Sequence, residues 1–326
     1  MVYLRITGRA MVNVHSANAE GAVGNYMALS KMFIIRRSGN GYEISEEPVI
    51  SGNMLKHWHA VNMVDLLKSS GYDKICQYCA RHVMYRSPDK SKKDELEFIR
   101  SCAIEDLHGF LQPDVQVRRE SLMKFSFMLP VEDLKTEYEA VTHNRVVIEE
   151  SGKIPSEEAA MMVFKREHAS GIYGFLISGD LAYVGKPLAD PENTGKWISL
   201  EERRLRAETA ILALINLLSG KFGAASSRAM PAIKVSEIIV AISKHPIPNL
   251  VHGFYYDYVE ESVKILEAVL KSGLVKGVQD MKVYVFGNRL IEIVKGSDIL
   301  SKAAEPVSSP MDTLTKGVEV VKAWLS

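Results

Sequence analysis

The chain has 326 residues, 47% hydrophobic and 25% charged, with 40 lysines and arginines balanced by 40 aspartates and glutamates. That composition excludes disordered and collagen-like chains, and the length allows one elaborated domain or two ordinary ones. Zero net charge counts against a generic basic nucleic-acid binder, and no apolar run approaches the ~20 residues of a membrane-spanning helix.

Met1–Arg5 lacks the basic region of an export signal. Three cysteines without such a signal point to a reducing cytoplasm rather than a disulfide framework. From Tyr3 to Val14, Leu4, Ile6, Gly8, Ala10, Val12 and Val14 alternate with more polar neighbours, the pattern of a long strand with one buried face. A small-residue loop follows over residues 15–25. Gly39-Asn40-Gly41 then lies between Phe33-Ile34-Ile35 and Tyr42-Glu43-Ile44, a hairpin signal. Ile50-Ser51-Gly52-Asn53 opens a helix running to about Lys68, with Leu55, Trp58, Asn62 and Leu66 on one stripe. From Gly71 to Pro113 the signal is irregular and partly helical.

Alternation returns at Glu120–Leu129, and Ser170–Val184 reads as a strand bent at its glycines. Ser199 and Glu202 form a capping box, and Ala207, Ile211, Leu214, Ile215 and Leu218 share one helical face. A glycine- and serine-bearing loop, Lys221–Arg228, leads to a β-branched strand from Ile233 to Ser243. Beyond it are expected a helix from about Val251 to Lys271, a hairpin at Gly287-Asn288 and a helix ending at Ser326.

The core order is therefore strand, helix, strand, strand, helix, strand. This is the α+β ferredoxin-like βαββαβ arrangement, shared by RNA-recognition modules. Segments of about 71–117 and 132–169 are too long for ordinary connections and are functional candidates. Without repeats or a linker, one elaborated domain is expected.

Cys76 and Cys79 form a C-x2-C, with Cys102 and His108 further on, ligand types that suit zinc. A second C-x2-C is missing. Small buried cysteines in a helical insertion are therefore preferred, and no metal or cofactor is expected. Gly171-Ile172-Tyr173-Gly174-Phe175-Leu176 loosely resembles the aromatic RNP1 pattern on which bases stack, although core packing explains it as well. His15, His57, His59 and His143 could act as general acids or bases, but they are scattered, and no phosphate-loop, zincin or nucleophile-elbow motif accompanies them. More coherent are Ser51, Asn53 and Lys56 at a helix start, with Lys221, Ser226, Ser227 and Arg228 in the small-residue loop. Free backbone N–H groups at both places favour phosphate. Such contacts hold a nucleic-acid backbone without reading its sequence.

Four runs appear in order: Pro48–His57, Thr142–Arg145, Arg166–Gly174 and Leu218–Arg228. Together they resemble the backbone subunit of type I CRISPR Cascade complexes, in the archaeal I-A branch of the RAMP superfamily, from the first strand to about Ile242. The resemblance implies a palm core (about 1–70, 118–131 and 170–243), a helical finger (71–117), a thumb-like hairpin (132–169) and a C-terminal extension (244–326). It implies a non-enzymatic cytoplasmic subunit that coats CRISPR RNA as a helical filament of its own copies. Other Cascade subunits and target DNA, paired through the guide, would be partners, and no membrane is involved.

Carried onto this sequence, the RNA-facing positions are Asn13, His15, Ser16, Asn18, Ser51, Asn53, Lys56, His143, Asn144, Arg145, Arg166, Lys221, Ser227 and Arg228. Met161 and Met162 would sit on the returning thumb strand, either wedging bases apart or packing on a neighbouring copy. Related type III subunits cut RNA with an aspartate in a loop near the first strand. Here residues 13–25 carry Glu20 and no aspartate. The alternative reading is a metal-independent endoribonuclease processing CRISPR transcripts, with His143 or His15 as base.

Overall fold

The computed structural model describes residues 1–325 except 17–18, 24–25, 86–88, 135, 145–160, 224–226 and 228. Its first half contains β1 (Tyr3–His15), β2 (Ala19–Val23), β3 (Tyr26–Leu29), β4 (Lys31–Ser38), β5 (Gly41–Pro48) and α1 (Gly52–Ser69). Next come α2 (Glu95–Ser101), α3 (Ala103–His108), β6 (Phe110–Gln112), β7 (Val117–Arg119), β8 (Met123–Phe125) and β9 (Leu129–Pro130). β10 (Thr136–Asn144), β11 (Met161–Gly179), α4 (Leu200–Leu218), β12 (Ala232–Ser243) and α5 (Tyr258–Lys271) follow. β13 (Met281–Phe286), α6 (Asn288–Lys295), β14 (Ala304–Pro306) and α7 (Pro310–Trp324) complete the chain.

In the main sheet β1 lies between β12 and β11, antiparallel to both. β8 and β9 pair antiparallel with β11, β13 with β12, and β14 runs parallel to β13. The far part of β11 carries β10 on one edge, antiparallel, and β3 on the other, parallel. The protein is thus α+β with a mixed sheet.

The alternation read from the sequence explains how the sheet is covered. On β12, Ile238, Val240 and Ile242 belong to one apolar cluster, shared with α1, α4 and α7. Their neighbours Ile239 and Ala241 belong to a second cluster on the other face, built with Leu250, Tyr258, Val259, Val283 and Leu290. A strand buried on both faces reads as a continuous apolar run, as Ile238–Ile242 does.

The hairpin of β4 and β5 turns at Gly39-Asn40, where Gly39 takes φ +54°, as a two-residue loop requires at its first position. Phe33, Ile35, Tyr42 and Ile44 on this hairpin are all exposed.

Several boundaries differ from the sequence reading. The expected hairpin at Gly287-Asn288 is a strand-to-helix turn, in which Gly287 adopts φ +117° between β13 and α6. α5 begins at Tyr258 rather than Val251, because the preceding stretch crosses the sheet and turns over residues 253–257. There a Cβ on Gly253 would lie 2.1 Å from the Gly8 carbonyl oxygen, and one on Gly174 would lie 2.1 Å from the Phe254 nitrogen. The strand expected over 120–129 is broken between β8 and β9. Ser126 Oγ accepts from the Leu176 N–H at 2.9 Å there, and the His252 ring lies 2.9 Å from the same hydroxyl. β11 ends at Gly179, and a single 3-10 turn, Leu181–Tyr183, replaces its expected tail.

Candidate nucleic-acid interface

The first turn of α1 is partly exposed at its N-terminus, with Gly52 buried against the Phe125 and Ser126 carbonyls and Asn53 facing solvent. Ser51 caps it, its hydroxyl accepting from the Met54 N–H at 3.1 Å. No acidic residue occupies the first turn, so the positive end of the helix is uncompensated. Asn53 is exposed and Lys56 half-buried at that turn. Ser51 therefore serves the helix, while Asn53 and Lys56 flank the anion-favouring end.

Lys221 is not gathered at that end. Its carbonyl accepts from the Asn62 side chain at 3.1 Å, and its ammonium pairs with Asp65 at 2.9 Å. Asp65 lies nine residues beyond Lys56, about 13 Å along the axis and half a turn around it. The two lysines thus lie on different stretches and different faces of α1. Ser227 is exposed in the loop beyond Lys221. Ser226 and Arg228 lie outside the described residues.

At the end of β1, Asn13 is exposed, but His15 and Ser16 are buried, which corrects their expected place on an RNA-facing surface. The His15 Nε2 lies 2.7 Å from the Tyr173 hydroxyl. Burial first, then the nearby His168, lowers its pKa to about 4, so this ring is a neutral core group at pH 7. It is correspondingly unsuited to serve as a solvent-facing base. Asn18 lies outside the described residues.

His143 and Asn144 fall on β10, their backbones paired with Met162 and Met161 of β11. Their side chains and those of the two methionines lie outside the described residues, as does Arg145. Arg166 is half-buried on β11 and directs its guanidinium to the Met27 sulfur at 3.5 Å.

A group missed by the sequence reading sits at the base of this β10–β11 hairpin. Lys165 stands over the Tyr26 ring at 5.1 Å and donates to its hydroxyl at 3.2 Å. Tyr138 meets Tyr26 edge-on at 5.8 Å, and the two rings are 51% and 43% exposed. Exposed aromatics beside a cation are the elements on which single-stranded bases stack. Tyr26 is in register with Lys165 and Tyr138 with Glu167, so only the pairing of β3 and β10 on either side of β11 assembles the group.

The RNP1-like stretch does not form such a platform. Tyr173 and Phe175 are buried in the core, and Gly174 is covered by the 253–254 backbone. The other histidines are also engaged. His59 Nδ1 lies 3.0 Å from His108 Nε2, and His59 Nε2 lies 2.7 Å from the Ala210 carbonyl oxygen. His108 therefore faces His59 rather than the cysteines with which the sequence grouped it.

The family model described as the CRISPR-associated negative auto-regulator DevR/Csa2 matches residues 6–263. The chain belongs to the DevR/Csa2 family. A relative from Methanocaldococcus jannaschii, "CRISPR-associated protein Cas7/Cst2/DevR", is 44% identical over 83% of this chain and 91% of its own length. A Thermoproteus tenax protein of the same description is 38% identical over 85% of each chain. The "CRISPR-associated aCascade subunit Cas7/Csa2 2" of Saccharolobus solfataricus is 28% identical over 92% of this chain and 96% of its own. A chain from a solved "CRISPR RNA-guided surveillance complex" shares the fold, with a TM-score of 0.51 at 12% identity, covering 98% of this chain and 99% of that one. Among the described residues no helix is long and apolar enough to cross a membrane.

Proposed function

We propose that this Cas7-type chain is a non-catalytic, cytoplasmic subunit that binds CRISPR RNA in a Cascade complex. Copies would line up along the RNA backbone and present the guide for pairing with target DNA. The observation that carries the reading is family membership over most of the chain, including the stretch that holds the first turn of α1. The strand order β12–β1–β11–β8/β9 supports a ferredoxin-like palm, with 71–117 and 132–169 as its finger and thumb. Asn53 and Lys56 would hold phosphate, and Tyr26 and Tyr138 would receive bases beside the thumb. The exposed Phe33, Ile35, Tyr42 and Ile44 of the β4–β5 hairpin supply an apolar face for a neighbouring copy.

Phosphate contacts release counterions, so binding of single-stranded RNA should weaken steeply with salt and discriminate little between sequences. The test is filter binding of labelled CRISPR RNA across a salt series, with particle size measured by light scattering on the same mixture. Salt-sensitive binding accompanied by growth into multi-subunit particles supports the proposal. No RNA binding at low salt, or specific cleavage of the RNA, overturns it.

A further inference from the structure

We infer that Cys76, Cys79 and Cys102 form a zinc site that fastens the start of the helical insertion, just after α1, to the α2–α3 junction within it. The three sulfurs lie within 4.8 Å of one another. Tetrahedral zinc with Zn–S bonds of about 2.3 Å places its sulfurs about 3.8 Å apart, a spacing this cluster accommodates. The thiols are free and reach the cluster from two separate segments. Cys76 and Cys79 flank the start of a single 3-10 turn, Cys79–Arg81, whereas Cys102 joins α2 to α3. The Ala103 N–H donates to the Lys74 carbonyl at 3.0 Å, drawing the two segments together beside the sulfurs.

A second observation distinguishes the cluster from apolar packing. The Cys79 N–H points at the Cys76 sulfur at 3.5 Å, across a backbone turn closed by the Ala80 N–H on the Cys76 carbonyl at 2.9 Å. A backbone N–H directed at sulfur supports a thiolate and orients it as a metal ligand. A neutral thiol in an apolar core has no comparable need for that donor.

Cys79 and Cys102 are fully buried, while Cys76 is half-buried and borders a cleft of about 520 Å³. Lys90, Lys92, Ser101 and Glu105 also line this cleft. The fourth coordination position therefore faces the cleft, where water completes the tetrahedron. Three thiolates around a divalent ion leave one net negative charge, at a cleft whose two lysines are already paired, Lys90 with Asp114 at 2.9 Å and Lys92 with Asp89 at 3.3 Å. Each thiol loses its proton as its sulfur–zinc bond forms, so binding releases three protons and involves no redox change.

The test uses the full chain without a histidine tag, loaded with zinc and then desalted, with metal measured by mass spectrometry. One zinc per chain is expected, falling at least fivefold in Cys102→Ala and in Cys76→Ser. Because Cys102 is a core residue, cobalt is added to the unaltered protein as a second measurement. Thiolate-to-cobalt charge-transfer absorption, together with protection of Cys76 from alkylation until a chelator is added, supports the site. Substoichiometric metal after loading, full retention in both variants, absence of the cobalt band or a disulfide between any two of the cysteines overturns it.

Discussion

Arg206 on α4 donates to Asp106 on α3 at 2.8 Å, with both side chains fully buried. Arg119 takes the other carboxylate oxygen at 2.7 Å, and the Gly185 N–H reaches both oxygens. One carboxylate thus ties the helical insertion to the second core helix. Removing its charge leaves Glu95 as the carboxylate partner of Arg119 and Glu202 as that of Arg206, so Asp106→Asn should cost about 1–3 kcal/mol, the range for one lost buried hydrogen-bonding partner. Urea unfolding monitored by circular dichroism measures it; a loss below about 1 kcal/mol would mean that water or neighbouring carbonyls replace the carboxylate.

The crossing of the 253–254 backbone over β1 and β11 leaves no room for a methyl group. A Cβ on Gly174 would stand 2.2 Å from the Gly253 carbonyl carbon. Gly174→Ala and Gly253→Ala should each destabilise the chain by about 1–3 kcal/mol through overpacking. In contrast, a Cβ on Gly41 would lie 4.0 Å from the Ser38 carbonyl oxygen, so Gly41→Ala should leave the thermal midpoint nearly unchanged. Equal effects at the three positions would contradict the close crossing.

The regular core was legible because it obeys simple periods. Alternation located β1 and β12, and Ser199 with Glu202 located the start of α4. Even there the sequence told only half. Ser199 accepts from the Glu202 N–H, but the Glu202 carboxylate binds Tyr72, Lys74 and Arg206 rather than completing a local box. Site residues were less legible because solvent exposure depends on contacts distant in sequence. His15 looked like a loop histidine until Tyr173 closed over it, and Lys221 looked like a free cation until Asp65 was found beside it. The Tyr26–Tyr138–Lys165 group joins three strands, and no local pattern announces it.

Acid should weaken the fold through His15 and His59. Burial lowers both pKa values to about 4, against 6.5 for the ordinary group. Between those values the unfolded chain binds more protons, so this contribution is complete above about pH 6.5 and is lost as pH falls towards 4. Each histidine should add a slope of about 1 kcal/mol per pH unit in that window. Denaturant midpoints between pH 7 and 4.5 test this, and His59→Gln should flatten the curve. An unchanged slope in that variant would show that His59 takes up its proton alike in the folded and unfolded protein.

RNA binding should separate the two kinds of contact at the candidate interface. Lys56→Ala should reduce the slope of log affinity against log salt by about 0.7, the share of one single-strand phosphate contact. Tyr138→Ala should weaken binding about 5- to 150-fold at all salt concentrations, as the loss of one stacking ring does. If the tyrosine variant alters only the salt slope, the ring does not receive a base.

Over Ile238–Ser243, β12 has strands on both edges and an apolar layer on each face, so these amides lack a local route to solvent. Hydrogen exchange there must await opening of the whole sheet, and its slowest amides report global stability. The solvent-facing β4–β5 hairpin can breathe independently of that spine, whereas Asp106 holds the insertion to it. Moving outer parts can therefore open and close around a centre that remains shut.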